Sequence, residues 1–442
     1  MKLKSLAIIA LGLICSTVAF SQEKVDSLDV HEQRISLLED GLLQLKKLKF
    51  SGYIQAEWQT SQLDSMIAKS NDMKVGNGIY GAEKTVNGNY NRFGVRRGRL
   101  KATYEDFGCK GVVEFDISES GLKTKDVYLS VLDPWVNIFT VKGGVFDNPF
   151  GYEIAYSSSS IESPERSRLI QNLFPDEKTM GGMITIQAPK TSPLNVWKLD
   201  LGLVAGNAIS KDYKSTKDFV AHLTYNKAFE TMKFGIGVSA YSGNILQQDT
   251  NVFVMKNGYF SRNIKTPANG SAPRTYYGVD AQFSIASDLG LTQLRGEFIT
   301  GTQSGTSGSS ASPNAFDPTA TTTYAPTYTR NFSGGYVHFV QDIADTKHSI
   351  TVKYDWYDPN TDIAGTNVGV LPTGVTAGTN VKASNKTDMA YSTIGLGYIY
   401  RMNNNVKLTV YYDIVSNEIT KVKGYFANAN ANVLTVRLQY KF

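Results

Sequence analysis

The stretch from Phe93 to Gly108, FGVRRGRLKATYEDFG, alternates between two kinds of side chain at every second residue. Residues two apart point to the same face of a β-strand. This stretch therefore predicts a strand with one cationic face and one apolar face. The two rows are Arg97, Arg99, Lys101 and Thr103 against Gly98, Leu100, Ala102 and Tyr104.

The same two-residue period recurs along most of the chain. We identify sixteen such segments, most of a length (about nine to eleven residues) that lets a tilted strand cross a bilayer. An even number of strands suits a closed antiparallel barrel, and closure leaves no strand edge unpaired in lipid. The segments are 50–58, 94–104, 109–117, 123–131, 136–146, 180–188, 197–206, 218–226, 232–241, 276–285, 291–300, 332–341, 348–357, 391–400, 406–415 and 433–442.

The connections between these segments alternate in length. The connections after the even-numbered segments are short, and most of those after the odd-numbered segments are long. The connections after segments 3, 7 and 15 are shorter than the other odd-numbered ones. Transmembrane barrels have tight turns on one side and extended loops on the other. Residues 49–442 are therefore predicted to be all-β, a sixteen-stranded antiparallel transmembrane β-barrel. The long connections span residues 59–93, 147–179, 242–275, 301–331 and 358–390.

Residues 1–21 have the layout of a secretory signal peptide. Lys2 and Lys4 precede an apolar run that is too short to span a bilayer as a helix, and cleavage is expected before Gln22. Losing these two lysines lowers the formal charge from +5 to +3, which does not suggest a nucleic-acid partner. The mature chain keeps only Cys109, so it can form no intramolecular disulfide.

Residues 22–48 show a short heptad pattern. Apolar residues fall seven apart in one row, with a second row at the complementary spacing. The pattern predicts a short periplasmic coiled-coil helix ahead of the barrel, and an amphipathic helix packed on its own domain is the alternative. The two rows are Leu28, Ile35 and Leu42, and His31, Leu38 and Leu45.

The cationic row is expected to face the barrel interior. A lipid-facing arginine near the bilayer midplane costs about 2–4 kcal/mol, which makes three outward cations implausible. Arg97, Arg99 and Lys101 are then candidates for a ladder that attracts anions. The alternative is that they form ion pairs with Glu114 and Asp116 on the adjoining strand.

Further cations are candidates for the same anion pathway. Lys142 falls on the inward row of the fifth segment, and the loop 147–179 carries Arg166 and Arg168. This third loop either folds inward and narrows the opening or remains on the surface, and the sequence leaves both open. Inward acids make the interior mixed in charge: Asp126, Asp200, Asp280, Glu297, Asp355 and Asp413.

Several motifs occur in an order that resembles the phosphate-selective porins O and P and their Bacteroidetes relatives. They are RRGRLKATYEDFGCKGVVEFDIS, LKTKDVYLSV, FTVKGGVFDNPFGYE, IESPERSR and MGGMITIQ. The resemblance implies an outer-membrane barrel, usually a homotrimer, that passes small anions such as phosphate along basic residues. By this resemblance Arg97, Arg99 and Lys101 belong to the basic wall, and Arg166 and Arg168 to the third loop.

The expected location is the outer membrane of a Gram-negative bacterium, with the N-terminal helix and both barrel ends in the periplasm. Expected partners are outer-membrane lipids, the permeant anions and the barrel assembly machinery, which would read the terminal Phe442. An enzyme is not expected, because four scattered histidines and one mature cysteine give no metal-ligand spacing and no cofactor motif is present. The alternatives are a non-selective or different-solute porin and, less favoured, a passive surface anchor or adhesin.

Overall fold

The computed structural model describes most of the chain. The predicted signal peptide lies outside the described residues, and so does most of the heptad segment, of which residues 34–37 and 46–47 are helical. The chain divides into two compact units, Met1–Lys49 and Phe50–Phe442. Among the described residues, no helix is long and apolar enough to cross a bilayer. The described ranges are 34–37, 46–62, 89–119, 121–247, 250–263, 270–312, 326–428 and 431–442.

Nineteen strands in the described part of the chain join into one sheet. They are β1 (Leu48–Gln62), β2 (Asn89–Asp106), β3 (Cys109–Ser118), β4 (Gly121–Leu132), β5 (Phe139–Asp147), β6 (Lys178–Gln187), β7 (Trp197–Val204), β8 (Asp218–Ala228), β9 (Met232–Leu246), β10 (Val252–Lys256), β11 (Tyr259–Asn263), β12 (Ser271–Ser287), β13 (Gly290–Gly305), β14 (Thr327–Asp342), β15 (His348–Asp358), β16 (Val381–Lys382), β17 (Tyr391–Arg401), β18 (Val406–Asn417) and β19 (Val433–Lys441). A helix, α1, covers Arg168–Leu173, and short 3₁₀ turns cover Pro193–Val196, Gly365–Asn367 and Lys386–Asp388.

Sixteen of these strands, all except the short β10, β11 and β16, form a closed antiparallel barrel. The wall closes where β19 pairs with β1, with Lys441 opposite Tyr53. The last residue takes part, because the backbone N–H groups of Gly52 and Phe442 each donate to the other's carbonyl oxygen at 3.0 Å. Each of the sixteen predicted segments corresponds to one barrel strand, so the predicted fold is confirmed.

Alternate residues of each wall strand face opposite sides, and the polarity of the two sides is the reverse of a water-soluble sandwich. On β15, Ile350 and Val352 are 44% and 41% exposed on the outside. Their neighbours Thr351 and Lys353 are 1% and 3% exposed on the inside. The barrel thus has an apolar outer surface and a polar interior, which is the arrangement of a barrel that faces lipid.

Short links join the strands at one end of the barrel. Most connections at the other end are long. The link between β3 and β4 is short, and those between β7 and β8 and between β18 and β19 are of intermediate length, as the segment spacing indicated. Successive strands are antiparallel, so the two kinds of connection lie at opposite ends. The short links are residues 107–108, 133–138, 188–196, 229–231, 288–289, 343–347 and 402–405.

The long connection predicted over residues 242–275 proves to be partly strand. β9 continues to Leu246, and β10 and β11 then pair as a hairpin across Asn257 and Gly258. Asn-Gly is the strongest two-residue hairpin signal. The hairpin does not match the pattern of membrane-crossing strands, because its two arms have only five residues each.

The fifth barrel strand begins later than the predicted segment 136–146. Asp133 is responsible, because its carboxylate accepts backbone hydrogen bonds of 2.8–3.1 Å from four residues that follow it. These bonds hold the chain in a turn up to residue 138, and β5 starts at Phe139. The donors are Trp135, Val136, Ile138 and Phe139.

Candidate functional site

The third loop, residues 148–177 between β5 and β6, packs against the inner side of the barrel wall. Its apolar side chains and α1 join wall residues in one buried cluster, in which Phe174 packs edge-on to Tyr276 with ring centroids 5.5 Å apart. The loop contributes Phe150, Ile154, Leu169, Ile170, Leu173 and Phe174, and the wall contributes Val204, Val220, Tyr241, Tyr276, Ile299, Phe332 and Tyr357.

Charged contacts fix the same loop to strands further round the wall. Lys353 Nζ lies 2.7 Å from Glu153 Oε1, and Arg295 Nη2 lies 2.5 Å from Glu162 Oε2. Lys407 donates to two loop carbonyl oxygens at 3.1 and 3.2 Å. These groups are largely buried, and pairing or hydrogen bonding offsets the cost of removing each charge from water.

Three arginines of the wall meet one loop carboxylate. Glu165 accepts two bonds from Arg96 at 2.5 and 2.8 Å, one from Arg97 at 3.1 Å and one from Arg437 at 3.4 Å. We call Arg96, Arg97 and Arg437 the arginine cluster. It spans β2 and β19, so the loop contacts both sides of the barrel closure.

The charge of Glu165 is strongly favoured in this position. Burial by itself raises the pKa of its carboxyl group, but the three guanidinium charges outweigh burial and hold the pKa well below its usual range. A group with a lowered pKa stabilises the folded state at all pH values above its unfolded pKa of about 4.3. Glu165 therefore stays ionised and bound at neutral pH.

The cation row of β2 faces the interior, as expected, and ion pairs neutralise it. Arg99 lies 3.3 Å from Glu114 and 3.6 Å from Asp116. Lys101 lies 3.2 Å from Glu114 and 3.4 Å from Asp126. The structure thus shows the ion pairs that the sequence offered as the alternative to a free anion ladder.

The other predicted pathway cations occupy three different settings. Arg166 is buried in the loop, where its Nε lies 2.6 Å from Glu177. Arg168 begins α1 and stacks over the ring of Tyr391 at 3.9 Å. The ammonium group of Lys142 lies over two aromatic rings, and among the described residues it has no ion-pair partner.

A cavity of about 260 Å³ lies between the third loop and the wall formed by β19 and β1 to β6. Ser51, Tyr53, Tyr156 and the loop serines 157–159 supply its polar uncharged side chains. We call this space the charged cavity. Five cations and four carboxylates line it: Arg99, Lys101, Arg166, Lys178 and Lys441, with Glu114, Asp126, Asp147 and Glu177.

Ion pairs connect most of the charges in this cavity. Lys178 contacts Asp126 at 2.6 Å and Asp147 at 2.8 Å, and Asp126 in turn contacts Lys101. Opposite charges therefore alternate along the lining, and their electric fields largely cancel. The lining side chains together carry a small excess of positive charge. A solute entering the cavity meets both signs of charge within a few ångströms.

Sequence reasoning named Arg97 but did not find the other two members of the arginine cluster, Arg96 and Arg437, or Glu165. Strict alternation assigns Arg96 to the outer face, yet it shares a carboxylate with its neighbour Arg97, so the two-residue period fails at this point. Arg437 lies between the apolar residues Val436 and Leu438, and this alternation could have marked it as inward. Nothing local marks Glu165, because its partners are distant in sequence.

The part of the chain that the structure describes contains no candidate metal-binding site. No group of three or more histidine, cysteine or acidic side chains there could hold a metal ion. Cys109 is free and exposed at the start of β3.

Comparisons with known proteins identify structures of similar fold. No protein-family model and no curated protein matches the chain. The anion-selective porin from Comamonas acidovorans aligns with a TM-score of 0.51 and 11% identity, covering 89% of this chain and 99% of that one. The outer membrane channel DcaP of Acinetobacter baumannii aligns with a TM-score of 0.50 and 12% identity, covering 89% and 97%.

At such low identities the likeness is one of fold, and the chain has a porin-like barrel fold. Neither structure is named as a phosphate-selective porin O or P. The finer resemblance to that family therefore stays a prediction.

Proposed function

We propose that this protein is an outer-membrane diffusion channel for small hydrophilic solutes, with a weak preference for anions. The main support for this proposal is the polarity of the wall, whose outer side is apolar and whose inner side holds ion pairs. A barrel that only anchored surface loops would have no need of a charged cavity between its third loop and its wall. We place the narrowest part of the path at this cavity.

The anion preference is proposed to come from uncompensated positive charge. Five cations face four carboxylates in the charged cavity, and Lys142 adds a cation on the same wall that lacks an ion-pair partner among the described residues. Arg97, Arg99, Lys101, Arg166 and Arg168 act within ion pairs or against rings, so their effect on a passing ion is smaller than their number suggests. Phosphate is one permeant anion of suitable size.

A non-selective porin is the second candidate, and a specific observation favours it. Carboxylates lie within 4 Å of Arg99, Lys101, Arg166 and Lys178, which is the balance expected of a channel that sorts solutes by size. The sign and size of the ion selectivity distinguish the two candidates.

The location and assembly follow from the same proposal. We infer an outer membrane of a Gram-negative bacterium, surrounding lipids on the apolar wall, recognition of Phe442 by the barrel assembly machinery, and a homotrimer. Support comes from the exposed apolar wall, which includes Leu438 and Tyr440 of β19 and the adjoining Phe442. We further propose that the short links, both barrel ends and the N-terminal segment lie in the periplasm.

Conductance tests the function directly. The purified protein, shown to be folded by its heat-modifiable electrophoretic mobility, should give stepwise currents in a planar lipid bilayer. The reversal potential in a salt gradient should have the sign of a modest anion preference. A folded protein that leaves the membrane silent would refute the channel and favour an anchor.

A further inference from the structure

Each of the seven short links exposes at least one large apolar side chain. Phe107 is 95% exposed in the link between β2 and β3, and Trp135 is 85% exposed in the link between β4 and β5. We call the exposed apolar side chains of the short links the apolar rim. Its other members are Val136, Leu194, Phe229, Leu289, Ile343 and Met402.

Exposed apolar residues are not a general property of the connections in this chain. The connection 359–390, all of whose residues are described, has about as many residues as the seven short links together, yet it exposes one large apolar side chain, Val370. Single exposed apolar residues are common on any protein surface. One in every link around a barrel end indicates an apolar contact that extends round the whole circumference.

The arrangement of the rim favours lipid over a protein partner. The links follow one another round the barrel, because each joins two neighbouring wall strands. A docked protein would cover one arc or the opening, whereas a bilayer surrounds the barrel on all sides. The rim is also continuous with the apolar wall, since Phe139, Trp197 and Met232 are exposed at the first positions of strands that follow short links.

An aromatic belt on the wall lies next to the rim. Tyr104, Trp197 and Tyr440 are exposed on the outer face close to the strand ends on this side of the barrel. Tryptophan and tyrosine rings in such positions mark the level of the membrane interface. The rim lies one short turn beyond this belt, where a barrel whose lipid contact ended at the belt would have only polar side chains.

Lys227 shows the arrangement expected at the edge of a bilayer. It shares the outer row of β8 with the exposed Leu223, and its ammonium group lies 5.2 Å from the centroid of the Phe229 ring in the adjoining link. Lysines near the ends of membrane-spanning segments lay their stems along apolar surface and extend the charged group to the headgroups. The lysine stem and the rim therefore occupy the same level.

We propose that the apolar rim is inserted into the headgroup region of the bilayer, all the way round the short-link end of the barrel. This inference rests on the proposed membrane location and adds a depth to it, because the lipid contact then extends past the wall strands. The backbone and the charged side chains of the links, such as Asp288, remain at the aqueous surface. The rim thus opposes tilting and vertical displacement of the barrel.

Tryptophan fluorescence of the full-length protein in lipid vesicles tests this depth. The chain has four tryptophans, and the difference between the unmodified protein and Trp135→Phe isolates the signal of Trp135. Phosphatidylcholine with bromine atoms high on its acyl chains should quench about half or more of this signal, because interfacial side chains lie within ~5–10 Å of the boundary between headgroups and acyl chains. Iodide added to the water should quench little of it.

Two results of this measurement would overturn the inference. A Trp135 signal that iodide quenches and brominated lipid does not would place the link in water. Protection of Trp135 from both quenchers would place a protein partner over the link.

Trp356 separates a failure of this inference from a failure of the proposed function. It stacks on Tyr354, an exposed residue of the same wall strand, with ring centroids 5.7 Å apart. The difference between the unmodified protein and Trp356→Phe reports its signal. If brominated lipid quenches Trp356 but not Trp135, only the rim inference fails. If it quenches neither, the proposed membrane barrel fails as well.

A second position tests whether the contact extends round the barrel. Leu289 is 75% exposed in the link between β12 and β13, well round the barrel from Trp135. Leu289→Trp, made in the Trp135→Phe background, should give new emission that brominated lipid also quenches. Quenching confined to Trp135 would show that a single arc contacts lipid, and the continuous rim contact would be refuted.

Discussion

The two sides of the third loop meet the barrel wall in opposite ways. Towards β7–β9 and β12–β15 the loop packs Phe150, Leu169 and Phe174 into a buried apolar cluster. Towards β1–β6 it leaves the charged cavity, where ion pairs such as Arg99–Glu114 line open space. The apolar side determines where the loop lies, and the charged side determines what can pass. Substitutions on the two sides should therefore affect different measurements.

The largest effect is expected on the apolar side. Phe150→Ala removes a fully buried ring and leaves a cavity, which should cost about 3–5 kcal/mol of unfolding free energy. Because this ring helps to hold the loop, single-channel currents should also become noisier and larger. Denaturant unfolding and bilayer recordings measure the two effects.

Phe426→Ala is the matched change at an exposed position, since this ring is 62% exposed on a connection at the long-loop end. Its stability and currents should stay close to those of the unmodified protein. Equal losses for Phe150→Ala and Phe426→Ala would mean that the apolar cluster does not hold the loop.

On the charged side, Arg99→Gln should change selectivity more than stability. Glu114 and Asp116 would lose a partner, and the lining of the cavity would lose its one surplus positive charge. One charge about 7 Å from a passing ion contributes roughly 0.6 kcal/mol in water, with opposite signs for an anion and a cation, so the permeability ratio of anion to cation should fall about sevenfold. Reversal potentials in a salt gradient measure this ratio.

Lys190→Gln removes the same charge from an exposed short link outside the barrel. It should leave the permeability ratio unchanged. If Arg99→Gln also leaves the ratio unchanged, the β2 row takes no part in ion selection. Arg97→Gln should act in the same direction as Arg99→Gln.

A smaller effect is expected from Lys142→Gln. Among the described residues this lysine contacts rings and not carboxylates, so the change leaves no described buried acid without a partner. The anion preference should fall, while the stability should change by no more than the ~0.5–1 kcal/mol typical of a cation–π contact. A large loss of stability would show that Lys142 is structural.

The smallest effect concerns the turn at Asp133, far from either side of the loop. Backbone hydrogen bonds, chiefly from Val136 and Phe139, lower the pKa of this carboxyl group to about 2. Because its folded pKa is lowered, its stabilising effect is present above the unfolded pKa of about 3.9 and is lost as the pH falls towards 2. The difference in melting temperature between Asp133→Asn and the unmodified protein should therefore shrink over this interval.

Asp288→Asn provides the control for this pH series, since Asp288 is an exposed carboxylate of another short link. Its melting temperature should follow that of the unmodified protein at every pH. A constant difference for Asp133→Asn down to pH 2 would contradict the role given to the turn.

The strands of the barrel wall could be predicted from the sequence because the residue alternation that marks them is local. Whether Leu100 faces lipid and Arg99 the interior depends on a two-residue period, and that period repeats in every wall strand. The sequence predictions failed where the two-residue period is interrupted or where a strand is short. Arg96 shares a carboxylate with Arg97 despite alternation, and the short arms beside Asn257 fall below the length of a wall strand.

The candidate site was harder to predict because its interacting side chains lie far apart in the sequence. Arg437 and Glu165 are 272 residues apart, and Lys353 and Glu153 are 200 apart. No spacing rule connects such pairs, so the sequence could offer ion pairing of Arg99 as an alternative but could not decide it. The path of the third loop is fixed by the same kind of distant contact.

The seam between β1 and β19 governs how the protein must be built. The first wall strand lacks its partner on that side until β19 has been synthesised, so both free edges would be open to pairing with other chains in the meantime. The cylinder can therefore close only after the strands between them have been made. Glu165 contacts β2 and β19, on the two flanks of the seam, so a seated third loop and a closed seam stabilise each other.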